Sequence, residues 1–262
     1  MTAMPFAVDD GRKTRFLTAV ENVIGGTDNR DGIGTLGEKT LHAALKLYFE
    51  PDTAYHEIKT GRFYADIARE GRIIEIQTRS FNRLREKIPY FLDEGYIVTV
   101  VYPVPAIKWI SWIDSESANV TEKRKSPKKG SVYSIVPELY KIKPYLGHPN
   151  LEFEILLLEV CDYRNLDGFG KDRKIRSTRY ERIPISLLGE TCTGAADGFS
   201  AFIPDNLPEE FTSSDFAKAA RITKPLASTA LSILYGVSAV ERIGKKGRAY
   251  LYKLSNRNSS RI

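Results

Sequence analysis

Two carboxylates, Asp66 and Glu75, stand in the otherwise apolar segment Phe63 to Gln77, FYADIAREGRIIEIQ. The segment reads as two short strands joined by a tight turn. Side chains alternate along a strand, so Asp66 shares a face with Tyr64 and Ala68, and Glu75 with Ile73 and Gln77. A two-residue turn at Glu70-Gly71 sets Asp66 opposite Glu75. A three-residue turn shifts that register by one, and the sequence leaves both open. Because an unpaired buried charge is costly, two carboxylates here need either a divalent cation to share or basic partners. Arg62, Arg72 and Arg79 are the candidates for the second case. A third carboxylate, Glu38, opens a helical pattern from about Leu36 to Phe49, with Leu41, Leu45, Tyr48 and Phe49 on its apolar face. Glu38 and His42 lie on or beside this face. The plainer reading of Glu38 is that it favours the positive end of the helix dipole.

The elements that must hold these groups follow from the surrounding pattern. Pro51-Asp52 ends the first helix, and Ala54 to Thr60 reads as a strand leading into the hairpin. Ser80 can cap a second helix with Phe81, Leu84, Ile88, Phe91 and Leu92 on one face. Pro89 predicts a kink or an early end there, and Gly95 a stop. Residues 96–103, YIVTVVYP, form an apolar, β-branched run expected of a strand buried on both faces. The order is helix, three strands, helix, strand. The glycines of GIGTLGEKT, Gly32, Gly34 and Gly37, match a nucleotide-binding spacing, but no strand precedes them and Glu38 stands where a P-loop carries Lys. They read instead as a glycine-rich entry to the helix.

This order and these acids resemble the PD-(D/E)XK, or restriction-endonuclease-like, nuclease superfamily over about residues 36–103. The resemblance implies an αβββαβ core with a mixed central sheet, and Mg²⁺ or Mn²⁺ as cofactor. Carried over residue by residue, Asp66 is the first metal ligand, Glu75 the second and Glu38 the helix carboxylate. Gln77 falls where the family usually has Lys, although some members carry Gln. The implied catalytic set is Glu38, Asp66, Glu75 and Gln77, and the implied reaction is phosphodiester hydrolysis. A metal ion there polarises the phosphate and lowers the pKa of an attacking water, which Gln77 orients. Arg79, on the same face if the strand continues, is a candidate for the missing cation.

Further along, residues 108–114 read as another strand, with Trp109 and Trp112 as packing residues. The segment 122–130, EKRKSPKKG, reads as a basic connector. Val132 to Leu146 has a helical pattern broken by Pro137 and Pro144, and Leu151 to Val160 reads as an apolar strand. The segment 168–184 gathers Lys171, Arg173, Lys174, Arg176, Arg179 and Arg182 in what reads as a basic loop suited to DNA backbone contact. A composition shift over 189–210 reads as a linker. Then FTSSDFAKAARITKPLASTALSILYG has the form of helix, turn, helix. Ser213 or Ser214 is the expected cap, Phe216, Ala217 and Ala220 face inward, and Ala227, Leu231 and Leu234 form the second apolar face. VSAVERI, GKKG and RAYLYKL then read as a hairpin. Residues 205–255 together resemble a winged-helix DNA-binding domain. That implies Ser228, Thr229 and Ser232 at the major groove, and Lys245, Lys246 and Arg248 on phosphates.

The 262 residues carry a net charge of +6. From Val237 onward seven Lys or Arg stand against Glu241 alone, which points to an anionic partner. Two cysteines, Cys161 and Cys192, exclude a disulfide framework. The three scattered histidines give no zinc-finger spacing, no apolar run is long enough to span a membrane, and the N-terminus has no signal core. A cytoplasmic location fits. The expectation is an α/β protein with a nuclease-like domain over 1–200, its core at 36–103 extended to about 185, and a winged-helix domain over 205–262. Its expected activity is that of a metal-dependent DNA endonuclease of the restriction or defence type. The rivals are a catalytically inactive nuclease-fold DNA-binding regulator or scaffold, and a junction- or end-processing repair nuclease. Double-stranded DNA is the expected partner, with a second copy of the chain in a homodimer as another candidate and no membrane.

Overall fold

The β-branched and aromatic runs pair into one mixed sheet, and the amphipathic segments between them fold as helices. The computed structural model describes residues 6–25, 40–113, 120–165 and 178–255. Glu38, the three glycines before it, and Lys171, Arg173, Lys174 and Arg176 lie outside the described residues.

In chain order the helices are α1 (Asp10–Gly25), α2 (Thr40–Phe49), α3 (Leu84–Asp93), α4 (Val136–Lys141), α5 (Ser213–Ala220) and α6 (Lys224–Gly236). The strands are β1 (His56–Thr60), β2 (Phe63–Arg69), β3 (Arg72–Ile76), β4 (Ile97–Ile113), β5 (Arg124–Lys125), β6 (Leu151–Asn165), β7 (Thr178–Gly194), β8 (Val240–Lys246) and β9 (Ala249–Leu254). Seven strands form one sheet in the order β1-β2-β3-β4-β6-β7, with β5 paired to β4; β8 and β9 form a separate hairpin. β2 and β3 are antiparallel, whereas β3 and β4 run parallel. No helix of the described residues is long and apolar enough to cross a membrane.

The chain divides into two compact units, one of residues 1–58, 103–131 and 156–190, the other of residues 59–102, 132–155 and 191–262. In the first, α1 and α2 meet through Phe16 and Tyr48, whose rings cross edge to face at 5.6 Å. The Tyr48 hydroxyl donates to Glu190 at 2.9 Å, and Arg12 reaches the same carboxylate oxygen at 2.6 Å. In the second, an aromatic chain runs from Phe81 through Phe153, Phe199 and Phe202 to Tyr133 and Phe216. Aromatic pairs of this kind bury large apolar area in defined geometry.

Several local outcomes differ from the sequence pattern. Helix α3 runs on past Pro89 to Asp93. The carbonyl that the missing N–H leaves unpaired belongs to exposed Arg85, and burial of Leu84, Ile88, Phe91 and Leu92 holds the helix. The runs at 96–103 and 108–114 are one strand, β4, continuous through Pro103 and Pro105. Val101 accepts from the Gln77 N–H at 2.9 Å. Residues 103 and 105 turn their backbones to the same edge as Val101, beyond the end of β3, where no donor is required. The basic stretch 168–184 is strand from Thr178 on. Arg182 there is committed to buried Asp162, donating at 2.5 and 2.9 Å. The stretch read as a linker includes the end of β7 and the buried rings of Phe199 and Phe202.

The C-terminal helices and hairpin follow the expected order. Thr212, rather than Ser213 or Ser214, caps α5: its hydroxyl accepts from the Ser214 and Asp215 N–H groups, and the Asp215 side chain accepts in return from the Thr212 N–H. This reciprocal arrangement needs an acid three residues after the cap, which only Thr212 has. Phe216, Ala217, Ala227, Leu231 and Leu234 are buried as the periodicity requires. The β8–β9 turn is Gly247-Arg248, so Lys245 and Lys246 stand within β8.

Candidate active site

The β2–β3 hairpin sets the two carboxylates. Arg69 pairs with Arg72, Ala68 with Ile73 and Ile67 with Ile74, leaving a two-residue turn at Glu70-Gly71. Both turn residues have positive φ, 50° and 75°, the geometry of a tight hairpin turn that matches strand twist. Continuing this register puts Asp66 opposite Glu75. Asp66 Oδ2 accepts from the Ile76 N–H at 2.7 Å, which fixes its carboxyl against the neighbouring strand beside Glu75. At the other end of β2, Gly61 has φ 60° and a Cβ there would stand 1.8 Å from the Tyr90 hydroxyl. The β1–β2 turn is thereby seated under α3.

Glu75 is fully buried, with 0% of its surface exposed. Its partner is Lys87 of α3, whose ammonium donates to both Glu75 oxygens at 2.9 Å and to the Tyr64 carbonyl at 2.6 Å. An ammonium has three N–H donors, so all three are used. Burial first, and then the charge of Asp66, push the Glu75 carboxyl up from 4.5 to about 7, with Lys87 opposing. Burial and the Asp66 charge thus raise the Glu75 carboxyl well above the ordinary carboxylate range, a perturbation that functional sites share with structural ion-pair networks.

The arginines expected as partners serve elsewhere. Arg62 lies over the Phe63 and Tyr90 rings at 4.9 and 5.3 Å, and Arg72 pairs with Glu152 at 2.7 Å. Arg79 is exposed, and Gln77 is half-buried past the end of β3 on the Glu75 face. Lys87 went unread in the sequence. Its signal is its position: three residues after Leu84 and four before Phe91, it shares their inward face.

The donor set of Asp66 and Glu75 suits a hard cation, since Mg²⁺ commonly takes one or two protein carboxylates and keeps several waters. Lys87 holds both Glu75 oxygens, so an ion on Glu75 takes the place of the ammonium. Among the described residues, no group of three or more His, Cys, Asp or Glu side chains could hold one ion.

The predicted nucleic-acid residues fall into two sets. Ser228 is exposed and Thr229 donates to the Pro225 carbonyl at 3.1 Å. Ser232 accepts from Lys143 at 2.9 Å, so that residue is engaged within the protein. Lys245, Lys246 and Arg248 are exposed on the β8–β9 hairpin. Lys245 stands 5.4 Å from the centre of the Tyr250 ring.

A protein of Treponema pallidum (strain Nichols), described as "Uncharacterized protein", is 27% identical to this chain over 228 residues, covering 84% of this chain and 87% of that protein. No solved structure matches. One protein family matches over residues 39–193, a span that contains the carboxylate hairpin and Lys87 and ends before α5. With more than half of its length matched, the chain belongs to the family described as "Domain of unknown function (DUF8091)".

Proposed function

We propose that the protein is a metal-dependent DNA endonuclease with a restriction-endonuclease-like core, in which α5, α6 and the β8–β9 hairpin serve as a winged-helix DNA-binding module. The observation that carries this reading is the pairing of Asp66 with a buried Glu75 of raised pKa on one hairpin, with Lys87 as the adjoining cation. Asp66 and Glu75 would hold Mg²⁺ or Mn²⁺, with Glu38 as the expected third carboxylate. When bound, the ion supplies polarisation of the scissile phosphate and a more acidic water. Lys87, freed from Glu75, is placed to offer its charge to the phosphate, the task for which Gln77 lacks a charge. Gln77 orients water through its amide. Ser228 and Thr229 would face the major groove, and Lys245, Lys246 and Arg248 the phosphates, joined by Lys171, Arg173, Lys174 and Arg176.

The test is incubation of plasmid and branched DNA with the protein, with and without Mg²⁺ or Mn²⁺. Metal-dependent cutting that Asp66→Asn abolishes is the expected result. No cutting of any substrate in either metal overturns the catalytic reading. One observation favours a second reading, a DNA-binding scaffold without catalysis: both Glu75 oxygens are satisfied by Lys87. In that case Mg²⁺ leaves the melting temperature of the wild type unchanged.

A further inference from the structure

A concavity of about 580 Å³ opens on the C-terminal helices and hairpin, lined by Lys224, Arg242, Lys246 and Arg248 with Ser228 and Tyr250. Its volume is in the range that encloses a small ligand rather than a bare groove, about 300–1,000 Å³. No acid lines it. Asp215, close enough for the charge of Lys246 to act on its carboxyl, accepts from the Thr212 N–H and hydroxyl at 2.9 and 2.8 Å, and Glu241 pairs with Lys253 at 3.3 Å. Four cations thus line one space, and Asp215 offsets one of them, Lys246, from outside its walls.

The tyrosines decide what kind of anion fits. The Arg242 guanidinium lies 4.2 Å from the Tyr235 ring centre and 4.2 Å from that of Tyr250. With the Tyr252 ring centre a further 5.7 Å away, the rings confine the guanidinium, whose N–H fork matches phosphate oxygens. Tyr250 is 45% exposed, yet Arg242 and Lys245 both occupy its ring. The rings therefore orient cations instead of presenting open faces to bases.

We propose that this concavity receives the terminal phosphomonoester of a nucleic-acid strand. The inference rests on the reading of this region as a DNA-binding module and adds strand-end recognition to it. A terminal phosphate carries about −1.5 to −2 charges near pH 7, against one for an internal phosphodiester, and so makes fuller use of four cations. A strand end can also enter a recess that the continuous backbone of a duplex can only cross.

The experiment is fluorescence anisotropy of the full-length chain in EDTA with a DNA hairpin having one open end. That end carries a 5′-phosphate, a 3′-phosphate or hydroxyls only. One phosphorylated end is expected to bind about tenfold tighter than the hydroxyl end, the worth of one charge-assisted contact. Lys246→Ala and Arg248→Ala, both at exposed positions, should erase that preference, and Lys253→Ala should keep it. Equal affinity for all three ends, or a preference that survives both pocket variants, overturns the proposal while leaving DNA binding intact. Absence of binding to any DNA overturns the DNA-binding reading with it. Because EDTA removes the metal, end preference in a protein that never cuts would retire the nuclease and retain the pocket.

Discussion

Replacing Glu75 with Gln fixes position 75 in a neutral form close to the protonated acid, and this gives a direct measure of what burial does to the site. In the folded protein the Glu75 pKa is raised from 4.5 to about 7. Its contribution to stability is therefore complete below about pH 4.5 and is lost as pH rises through about 7. A shift of that size is worth about 3 kcal/mol. Wild type should fall relative to Glu75→Gln by this amount between about pH 4 and about pH 8, mostly between 5 and 7. Gln stands for the protonated acid at both ends of the range, so the loss of a full ion pair with Lys87 subtracts out of the comparison. Urea denaturation of both proteins across the range gives the difference directly. Added Mg²⁺ should flatten the wild-type curve above pH 7 if Glu75 takes part in holding the ion. Parallel pH profiles for the two proteins in EDTA would refute the assignment of Glu75 as a carboxyl with a raised pKa.

Lys87→Met leaves a buried carboxylate without its cation and should destabilise the protein by roughly 3 kcal/mol at pH 8, far less at pH 5; the double variant with Glu75→Gln should recover most of the loss in the same denaturation assay. For cleavage, Gln77→Ala should lose roughly 10²–10³-fold if the amide acts as one preorganised donor, and Gln77→Lys should keep or raise the rate; single-turnover kinetics in Mg²⁺ and Mn²⁺ read both. Thr212→Ala removes the hydroxyl half of the α5 cap, leaves the backbone N–H bond to Asp215, and should cost about 1 kcal/mol of stability by urea denaturation, with no change in Mg²⁺ response.

The parts of this architecture that local chemistry sets were legible in the sequence. Glu70-Gly71 is a short-range turn signal, and it alone decides that Asp66 faces Glu75 once two residues suffice to close it. The apolar spacing of Leu84, Ile88, Phe91 and Leu92, and of Ala227, Leu231 and Leu234, located α3 and α6 for the same reason. What escaped depended on distant partners. Lys87 is a charged residue on an amphipathic helix, and only the hairpin packed on that face makes it an inward-pointing cation. Arg182 reads as one of a basic run until Asp162, twenty residues earlier, takes two of its donors. The runs at 96–103 and 108–114 read as two strands, and that they form one depends on Pro103 and Pro105 being tolerated where β3 stops, a property of a different segment. Glu38 and the basic residues from Lys171 to Arg176 lie outside the described residues, so their expected roles rest on the sequence.

The entry to α3 is held from far along the chain. The Phe81 N–H donates to Glu138 of α4 at 2.7 Å, and Lys141 joins that carboxylate to the Ser80 hydroxyl at 2.8 and 3.0 Å. This has a consequence for the order in which the protein assembles. The β2–β3 hairpin closes through a two-residue turn and is complete as soon as Ile76 has been synthesised. The helix that brings Lys87 to it packs on Phe63 through Tyr90 and Phe91, but its entry gains the Glu138 anchor only once residue 138 is available. A chain that ends before residue 138 would therefore hold Lys87 against the two carboxylates less firmly. A divalent ion would then compete with the ammonium on more even terms than in the finished fold.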